Sequence, residues 1–597
     1  MSHRVAVIDK ELCKPKKCNL ECIVFCPVNK SGGKCIVLSE EDRTKAVAVI
    51  DENVCNGCGI CVKVCPFDAI TIVNLAHELG AQKVHQYGIN SFRLYKLPTP
   101  KKEAVVGLLG RNGMGKTTII NILSGSLKPN LGTYEQELEW NEILKFFHGK
   151  ELKAHFESVA SNNIKASIKP QKVYMIPKLF NGTAKELIDG YDERNVTSEL
   201  IAQLGLKDSL ERNVGELSGG ELQRLAVAIT ASKEADFYFF DEPSSYNDVY
   251  QRLAVARVIH GLASIGKSVM VVEHDVALLD HLSDYIYVLY GDPGAYGIVA
   301  GVLGTKVGIN VFLDGYLPNE NVRFRDKAFK FESTTSTEEF IQNENLAEYS
   351  DLEKKYESFA VKIRSGRIRK GEVLGIAGAN ALGKTTMMKM LAGVEKPDDG
   401  KIDVKAKISY KPQYLSQDYE GDVRLLLNAA YERPIENTGM EEQIVLTIGI
   451  KKLYDKMVNT LSGGELQKVA VAACLLRDAD IYALDEPSAF LDVEDRIALA
   501  KFIQRFVRAQ SKSAVIIDHD LQLIDLVADT LVIFTGKPSI EGYATETLPK
   551  EQGMNLFLQD LELTYRRDPD SNRPRVNKIA SRLDRNQKES GNYYFVK

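Results

Sequence analysis

The sequence predicts an α/β protein: two tandem copies of one nucleotide-binding domain, preceded by a smaller α+β domain. Three observations carry this expectation. Long motifs recur at a nearly constant offset: "LSGGELQR" begins at Leu217 and "LSGGELQK" at Leu461, while "FFDEPSSYND" at Phe239 is answered by "ALDEPSAFLD" at Ala483. Each copy also holds an apolar run, a glycine-rich loop and a helical pattern, "AVVGLLGRNGMGKTTIINIL" and "EVLGIAGANALGKTTMMKML", which is the strand–loop–helix order of a phosphate-binding α/β unit. Finally, nine of the ten cysteines lie within the first 65 residues, so the N-terminal segment is a separate unit with its own chemistry.

A chain of 597 residues has room for about four domains of about 150 residues each. Hydrophobic residues make up 44% and charged residues 26%, ordinary values for a globular chain. The net charge of -5 excludes no partner class, because a basic patch can sit inside a balanced total. No apolar run reaches the length of a membrane span. The N-terminus carries charges and cysteines rather than the apolar core of a secretory signal. The chain therefore reads as cytoplasmic, with no membrane partner. In a reducing compartment, clustered cysteines indicate metal before disulfides. The isolated Cys474 reads as a small buried side chain.

Ser218 to Ser462 and Asp241 to Asp485 are both 244 positions apart, and His274 to His519 is 245. That period is far beyond solenoid repeats, so these are duplicated domains. Lys116 to Ser218 spans 102 positions but Lys384 to Ser462 only 78, which places an insertion in the first copy at about 134–168. Its apolar residues, Ile143, Leu144, Phe146 and Phe147, then Leu152, Phe156 and Val159, predict two short amphipathic helices parted near Gly149. The insertion is either neutral decoration or a partner-docking element. The stretch 291–330 is rich in Gly, Pro and Asn and reads as a long connection. The stretch 566–588, with eight Lys/Arg against three Asp, reads as a solvated tail, a docked strap or a phosphate contact. The expected organisation is a metal domain at 1–76, a first module at 77–290, a hinge at 291–330, a second module at 331–540, and a strap and tail at 541–597.

The loop glycines let backbone N–H groups close around phosphate oxygens. Asn112, Gly113, Gly115 and Thr118 belong to the first such loop, and Asn380, Gly383 and Thr386 to the second. Lys116 and Lys384 reach the β- and γ-phosphates of ATP, and Thr117 and Thr385 ligate Mg²⁺. Ala381 stands where the first loop has Gly113, so the two copies are not equivalent; either a positive φ there costs the alanine about 1 kcal/mol or the loop tolerates it. "DFYFFDE" and "DIYALDE" are apolar strands ending in paired carboxylates. Asp241 and Asp485 suit the magnesium shell. Glu242 and Glu486 suit orienting or deprotonating the attacking water. His274 and His519 follow later strands and are placed to contact the γ-phosphate. Gln171 and Gln413, in "IKPQK" and "YKPQY", are candidate sensors of magnesium and water. "LSGGE" puts Ser218 and Gly220, or Ser462 and Gly464, at a helix N-terminus, an anion site. Each module already has a phosphate loop, so this second anion site serves the other module's ATP.

Cys55, Cys58, Cys61 and Cys65 have the spacing C-x2-C-x2-C-x3-C followed by Pro66, the run that holds iron–sulfur clusters in bacterial ferredoxins. Cys13, Cys18, Cys22 and Cys26 form an earlier run that also ends in Cys-Pro. In two-cluster ferredoxins the fourth cysteine of each run serves the other cluster. The expected sets are therefore Cys13, Cys18, Cys22 with Cys65, and Cys55, Cys58, Cys61 with Cys26, leaving Cys35 over. Zinc is the competing metal, but three cysteines at x2 spacing with a terminal Cys-Pro favour [4Fe–4S].

The order P-loop, Q-loop, "LSGGE", Asp-Glu and switch histidine resembles the nucleotide-binding domains of ABC ATPases over 105–290 and 370–535. By that resemblance, Lys116, Thr117, Gln171, Asp241, Glu242 and His274 share one composite ATP site with Ser462 and Gly464. Lys384, Thr385, Gln413, Asp485, Glu486 and His519 share the other with Ser218 and Gly220. Tyr87 and Phe92 are candidates to stack on adenine in the first copy, and Tyr356 and Phe359 in the second. Asn247 stands where the second copy has Leu491, a departure from the repeat within that inter-module loop. Ferredoxin-like cysteines fused to tandem ABC modules resemble the subfamily E ABC proteins, ribosome-recycling factors also called ribonuclease L inhibitor proteins. The resemblance implies an ATP hydrolase with two [4Fe–4S] clusters that splits post-termination or stalled ribosomes. Its implied partners are the small subunit's rRNA and proteins, a release or rescue factor, and initiation factors. The alternatives are the ATPase subunit of a transporter and an ATP-gated iron–sulfur redox or transfer protein.

Overall fold

The computed structural model describes residues 2–8, 12–39, 47–52, 54–67, 69–76, 82–331, 344–413, 419–578 and 580–595. The two modules share one strand order. In the first, strands follow across the sheet as Lys83–Gln86, Arg93–Tyr95, Tyr296–Gly304, Tyr285–Asp292, Ala104–Leu109, Ser268–Val272, Phe237–Asp241 and Ala166–Lys169. In the second, the order is Leu352–Lys355, Ala360–Ile363, Glu541–Ala544, Thr530–Lys537, Val373–Gly378, Ser513–Ile517, Ile481–Asp485 and Ile408–Lys411. The strands that carry the chemistry are parallel and covered on both faces, which is why they read as unbroken apolar runs.

Strand Phe237–Asp241 shows how the pleat builds the core. Tyr238 and Phe240 pack with Val269, Val271 and the helices Gly219–Ser232 and Val249–Ser264 on one face. Phe237 and Phe239 pack with Met270, Val272 and the phosphate-loop helix Lys116–Leu123 on the other. The insertion joins that second layer as helices Trp140–Phe146 and Leu152–Ala160, parted around Gly149. Ile143, Phe147, Phe156 and Val159 are buried there, and the rings of Phe147 and Phe156 stack at 4.4 Å.

Two expected boundaries shift. Strand Tyr296–Gly304 pairs with Tyr285–Asp292 inside the first sheet, so 291–304 is module rather than hinge. Strand Glu541–Ala544 belongs to the second sheet in the same way. Gly-rich sequence hid the first, because glycine is depleted in strands. The connection proper starts with helix Thr305–Asp314.

The basic C-terminal stretch is docked. Arg573 is fully buried and, with Arg575, binds Asp280 at 3.0 and 2.7 Å. Arg567 binds Asp525 at 2.9 Å. Asp280 and Asp525 stand at matching positions on the helices Val276–Leu282 and Leu521–Val527, so one strap grips both modules. Charges spent in these buried pairs are not free for phosphate, whereas Lys578, Arg582 and Arg585 are exposed.

In the N-terminal domain, strands Ser2–Ile8 and Ile70–Ala76 are antiparallel, as are Ile36–Leu38 and Ala48–Ile50. Its core is small and contains Cys22, Cys26, Cys35 and Cys61. The domain is latched to the first module: Glu52 pairs with the buried Arg93 and accepts from the Asn90 N–H at 3.1 Å. It touches the second module where Lys14 Nζ donates to the Asp455 carbonyl at 3.2 Å. Among the described residues no helix is long and apolar enough to cross a membrane.

Candidate functional site

Each phosphate loop joins a buried central strand to a helix, with the N-caps Gly115 and Gly383 left-handed at φ 86° and 97°. Lys116 is buried and donates to the Gly110 carbonyl at 2.7 Å, with its Nζ 3.5 Å from Asn112 Oδ1 and 3.3 Å from His274 Nε2. Lys384 donates to the carbonyls of Gly378 and Ala379 at 2.9 and 2.6 Å. These are neutral acceptors, and a phosphate is a stronger one. Gly113 and Ala381 both have positive φ, 79° and 58°, so the alanine is strained where the glycine is not.

The paired carboxylates lie at the strand ends. Burial and the neighbouring glutamate push Asp241 and Asp485 up to about 6. Burial alone would also raise Glu242 and Glu486, but the adjoining histidine and phosphate-loop lysine outweigh it and hold both at about 2. His274 Nε2 stands 3.4 Å from Glu242, and His519 Nε2 3.2 Å from Glu486. Gln171 and Gln413 donate to those same glutamates at 2.8 and 2.6 Å rather than to the aspartates. Thr385 Oγ1 donates to Asp485 at 2.9 Å, which places one hydroxyl and one carboxylate together as a magnesium-type pair. Thr117 is exposed at the start of the first helix.

Tyr87 is exposed beside the first loop, with its hydroxyl 3.1 Å from Thr118 Oγ1. The Phe92 ring packs on Gly115, where an added Cβ would lie 2.5 Å from it. Tyr356 and Phe359 stack in the matching place at 6.2 Å. Thr386, Asn112, Asn380 and Gly383 lie in or directly after their loops.

Contacts across the modules run from each phosphate loop to the other module's Asp-bearing turn. Asn112 N donates to Asp492 at 3.4 Å, and Asn380 N to Asp248 at 2.7 Å. Both aspartates also cap their own helices. Asn247 is buried and accepts from Arg224 at 3.1 Å; its difference from Leu491 is internal and leaves the cross-contact in place. Sequence reasoning missed Asp248 and Asp492 as cross-module groups, although their repetition in both copies was the available signal. Ser218 and Ser462 form capping boxes with Glu221 and Glu465 at the first residues of Gly219–Ser232 and Gly463–Leu476. Among the described residues, neither serine nor Gly220 or Gly464 hydrogen-bonds to the opposite phosphate loop.

The cysteines line two cavities. Cys13, Cys18, Cys22 and Cys65 line one, with Pro66 and Phe67. Cys26, Cys55, Cys58 and Cys61 line the other, with Cys35 as a fifth sulfur. Each run thus lends its last cysteine to the other's cavity. Burial and the neighbouring thiols push Cys22 and Cys61 up to about 11. Crowded buried sulfurs of this kind become thiolates only around a cation, so the donor set fits an iron–sulfur group.

Comparison with known proteins agrees with this geometry. The ABC transporter family matches residues 99–245 and 361–489, a possible Fer4-like domain in RNase L inhibitor matches 3–34, and a 4Fe-4S binding domain matches 48–71. The translation initiation factor RLI1 of Saccharomyces cerevisiae is 43% identical over 601 residues, covering 99% of this chain and 98% of the relative. A solved structure described as a model of ribosome-bound archaeal Pelota and ABCE1 matches with a TM-score of 0.93 and 48% identity, over 99% of both chains. A complex of archaeal ribosomal stalk protein aP1 with archaeal ribosome recycling factor aABCE1 matches with a TM-score of 0.82 and 48% identity, over 87% of this chain and all of that one. The chain binds nucleotide and iron–sulfur groups and hydrolyses ATP. It belongs to the RNase L inhibitor family, the subfamily E ABC ATPases.

Proposed function

We propose that this chain is an ATP-driven ribosome-recycling factor that splits post-termination or stalled ribosomes and stays on the small subunit. The observation that carries this reading is the full-length likeness to a relative described as ribosome-bound beside Pelota. Its partners are a release or rescue factor, the rRNA and proteins of the small subunit, and initiation factors, and it works in the cytoplasm. The exposed Lys578, Arg582 and Arg585 suit salt-sensitive contacts to rRNA phosphates.

In this reading each ATP is held between one phosphate loop and the other module's "LSGGE". Lys116 and Lys384 leave the loop carbonyls for the β- and γ-phosphates. Thr117, Gln171 and Asp241, and Thr385, Gln413 and Asp485, hold Mg²⁺. Glu242 and Glu486, fully ionised and held by Gln and His, orient the attacking water, while His274 and His519 meet the γ-phosphate. Two [4Fe–4S] clusters, one per cysteine set, supply the cross-links that make a small domain stiff. The Glu52–Arg93 latch and the Lys14 contact then let module closure move that stiff domain against the ribosome.

The test is a sucrose gradient of intact ribosomes incubated with the chain, ATP and a release or rescue factor. Loss of the intact-ribosome peak is expected only when all three are present. A gradient unchanged by the complete mixture rules the reading out.

A further inference from the structure

Lys169 and Lys411 are buried charges at matching places in the two modules. Each ends the edge strand that leads into the Q-loop, in "IKPQ" and "YKPQ". Their side chains are 0% and 2% exposed. Lys169 Nζ donates to the backbone carbonyls of Asp241 and Glu242 at 2.7 and 3.4 Å. Lys411 Nζ donates to those of Asp485 and Glu486 at 2.7 and 3.2 Å. A methionine would fill the same space without the cost of burying an ammonium, so packing alone does not account for a lysine in both copies.

The turn that these lysines hold is strained. Glu242 and Glu486 are left-handed, at φ 46° and 48°, a conformation that costs a non-glycine residue about 1–2 kcal/mol. Before the turn, the Glu242 N–H still donates to Val272 at 2.9 Å and the Glu486 N–H to Ile517 at 2.8 Å, as in the sheet. After it the chain breaks away, and the two successive carbonyls meet one ammonium. A second donor converges there: Gln223 and Gln467, from the "LSGGELQ" helices, bond the Glu242 and Glu486 carbonyls. Gln171 and Gln413, two positions beyond each lysine, hold the carboxylate end of the same glutamates. One short segment therefore grips each glutamate at its backbone and at its tip.

We propose that Lys169 and Lys411 are positioning residues for hydrolysis, each fixing the strained Asp-Glu turn through its two carbonyls so that the glutamate stays aimed at the attacking water. The inference rests on Glu242 and Glu486 being the hydrolytic carboxylates. A group that aims the water but never touches ATP must lower kcat and leave nucleotide binding alone.

The experiment is steady-state ATP hydrolysis by the full cluster-containing chain with Lys169→Met and Lys411→Met together, beside Glu242→Gln with Glu486→Gln. For the lysine pair kcat is expected to fall about 10- to 100-fold, the scale of a small misplacement of a reacting group, with KM for ATP unchanged. Wild-type kcat in the lysine pair, while the glutamate pair is inactive, overturns the inference. So does a raised KM at wild-type kcat, which would make the lysines structural. Turnover retained in the glutamate pair defeats the underlying assignment instead. If methionine prevents folding, Gln223→Leu with Gln467→Leu removes the other donor on the same carbonyls. Lowered kcat at unchanged KM again supports the clamp, and wild-type kcat overturns it.

Discussion

The backbone N–H of Asn380, in the second phosphate loop, donates to the Asp248 carboxylate of the first module at 2.7 Å. The same carboxylate caps the helix Val249–Ser264 through the Gln251 N–H. One side chain thus ends a helix in one module and touches the ATP site of the other. Asp248→Ala is expected to cost the first module about 1 kcal/mol of cap stability and to lower turnover. Asp248→Asn keeps the cap, so its thermal melt should match wild type while turnover still falls. Wild-type turnover in both variants would show that the cross-module bond carries no coupling.

Glu242→Gln with Glu486→Gln is expected to bind ATP and to hold the modules closed, because the water loses its orienting charge while the phosphate contacts remain. Trapped radiolabelled nucleotide and loss of phosphate release are the readouts. Continued turnover would remove both glutamates from the mechanism.

Cys58→Ser removes one sulfur from the second cavity. Roughly half of the iron and of its visible absorbance is expected to disappear, since the runs share their last cysteines. Subunit splitting should be lost with ATP binding intact. Cys35→Ser, which removes only the fifth sulfur, should keep its iron. Unimpaired splitting by iron-depleted protein would refute the idea that module closure moves a stiff cluster domain against the ribosome.

Ala381 sits at φ 58° where Gly113 sits at 79°. Ala381→Gly is expected to relax the second loop by up to about 1 kcal/mol and to change nucleotide exchange at that site alone. Exchange measured in Ala381→Gly with Glu486→Gln would show it; an identical rate would mean that the loop accommodates the alanine freely.

Burial would raise Asp568, but bonds from Asn310 and from the Ser571 and Asp570 N–H groups, with Lys306 nearby, outweigh it and hold the group at about 2 against its usual 3.8. A carboxylate depressed on folding stabilises the native state above its unfolded pKa and loses that contribution as pH falls through its folded one. The strap should therefore lose about 2 kcal/mol between pH 4 and 2. Thermal melts across that range should fall more steeply for wild type than for Asp568→Asn; parallel slopes would discard the idea.

The phosphate loops, Asp-Glu pairs, switch histidines and cysteine runs were legible because their chemistry needs particular residues close together in sequence. Lys169 was not, since a lysine at a strand end looks like a surface residue until its burial is known. The strand Tyr296–Gly304 read as hinge because glycine hides its pairing with Tyr285–Asp292. The basic strap read as open-ended because Arg573 and Asp280 are far apart in the chain.

By itself the sequence determined the duplicated nucleotide-binding units, with their phosphate-loop and "LSGGE" motifs, and the two runs of four cysteines, all written in local spacing. Only the tertiary structure decided which groups meet: Asp248 with the opposite loop, the lysines beneath the Asp-Glu turns, Glu52 against Arg93, and one strap on two modules. Those pairings depend on how separately folded layers pack, and side chains hundreds of residues apart leave no spacing to read.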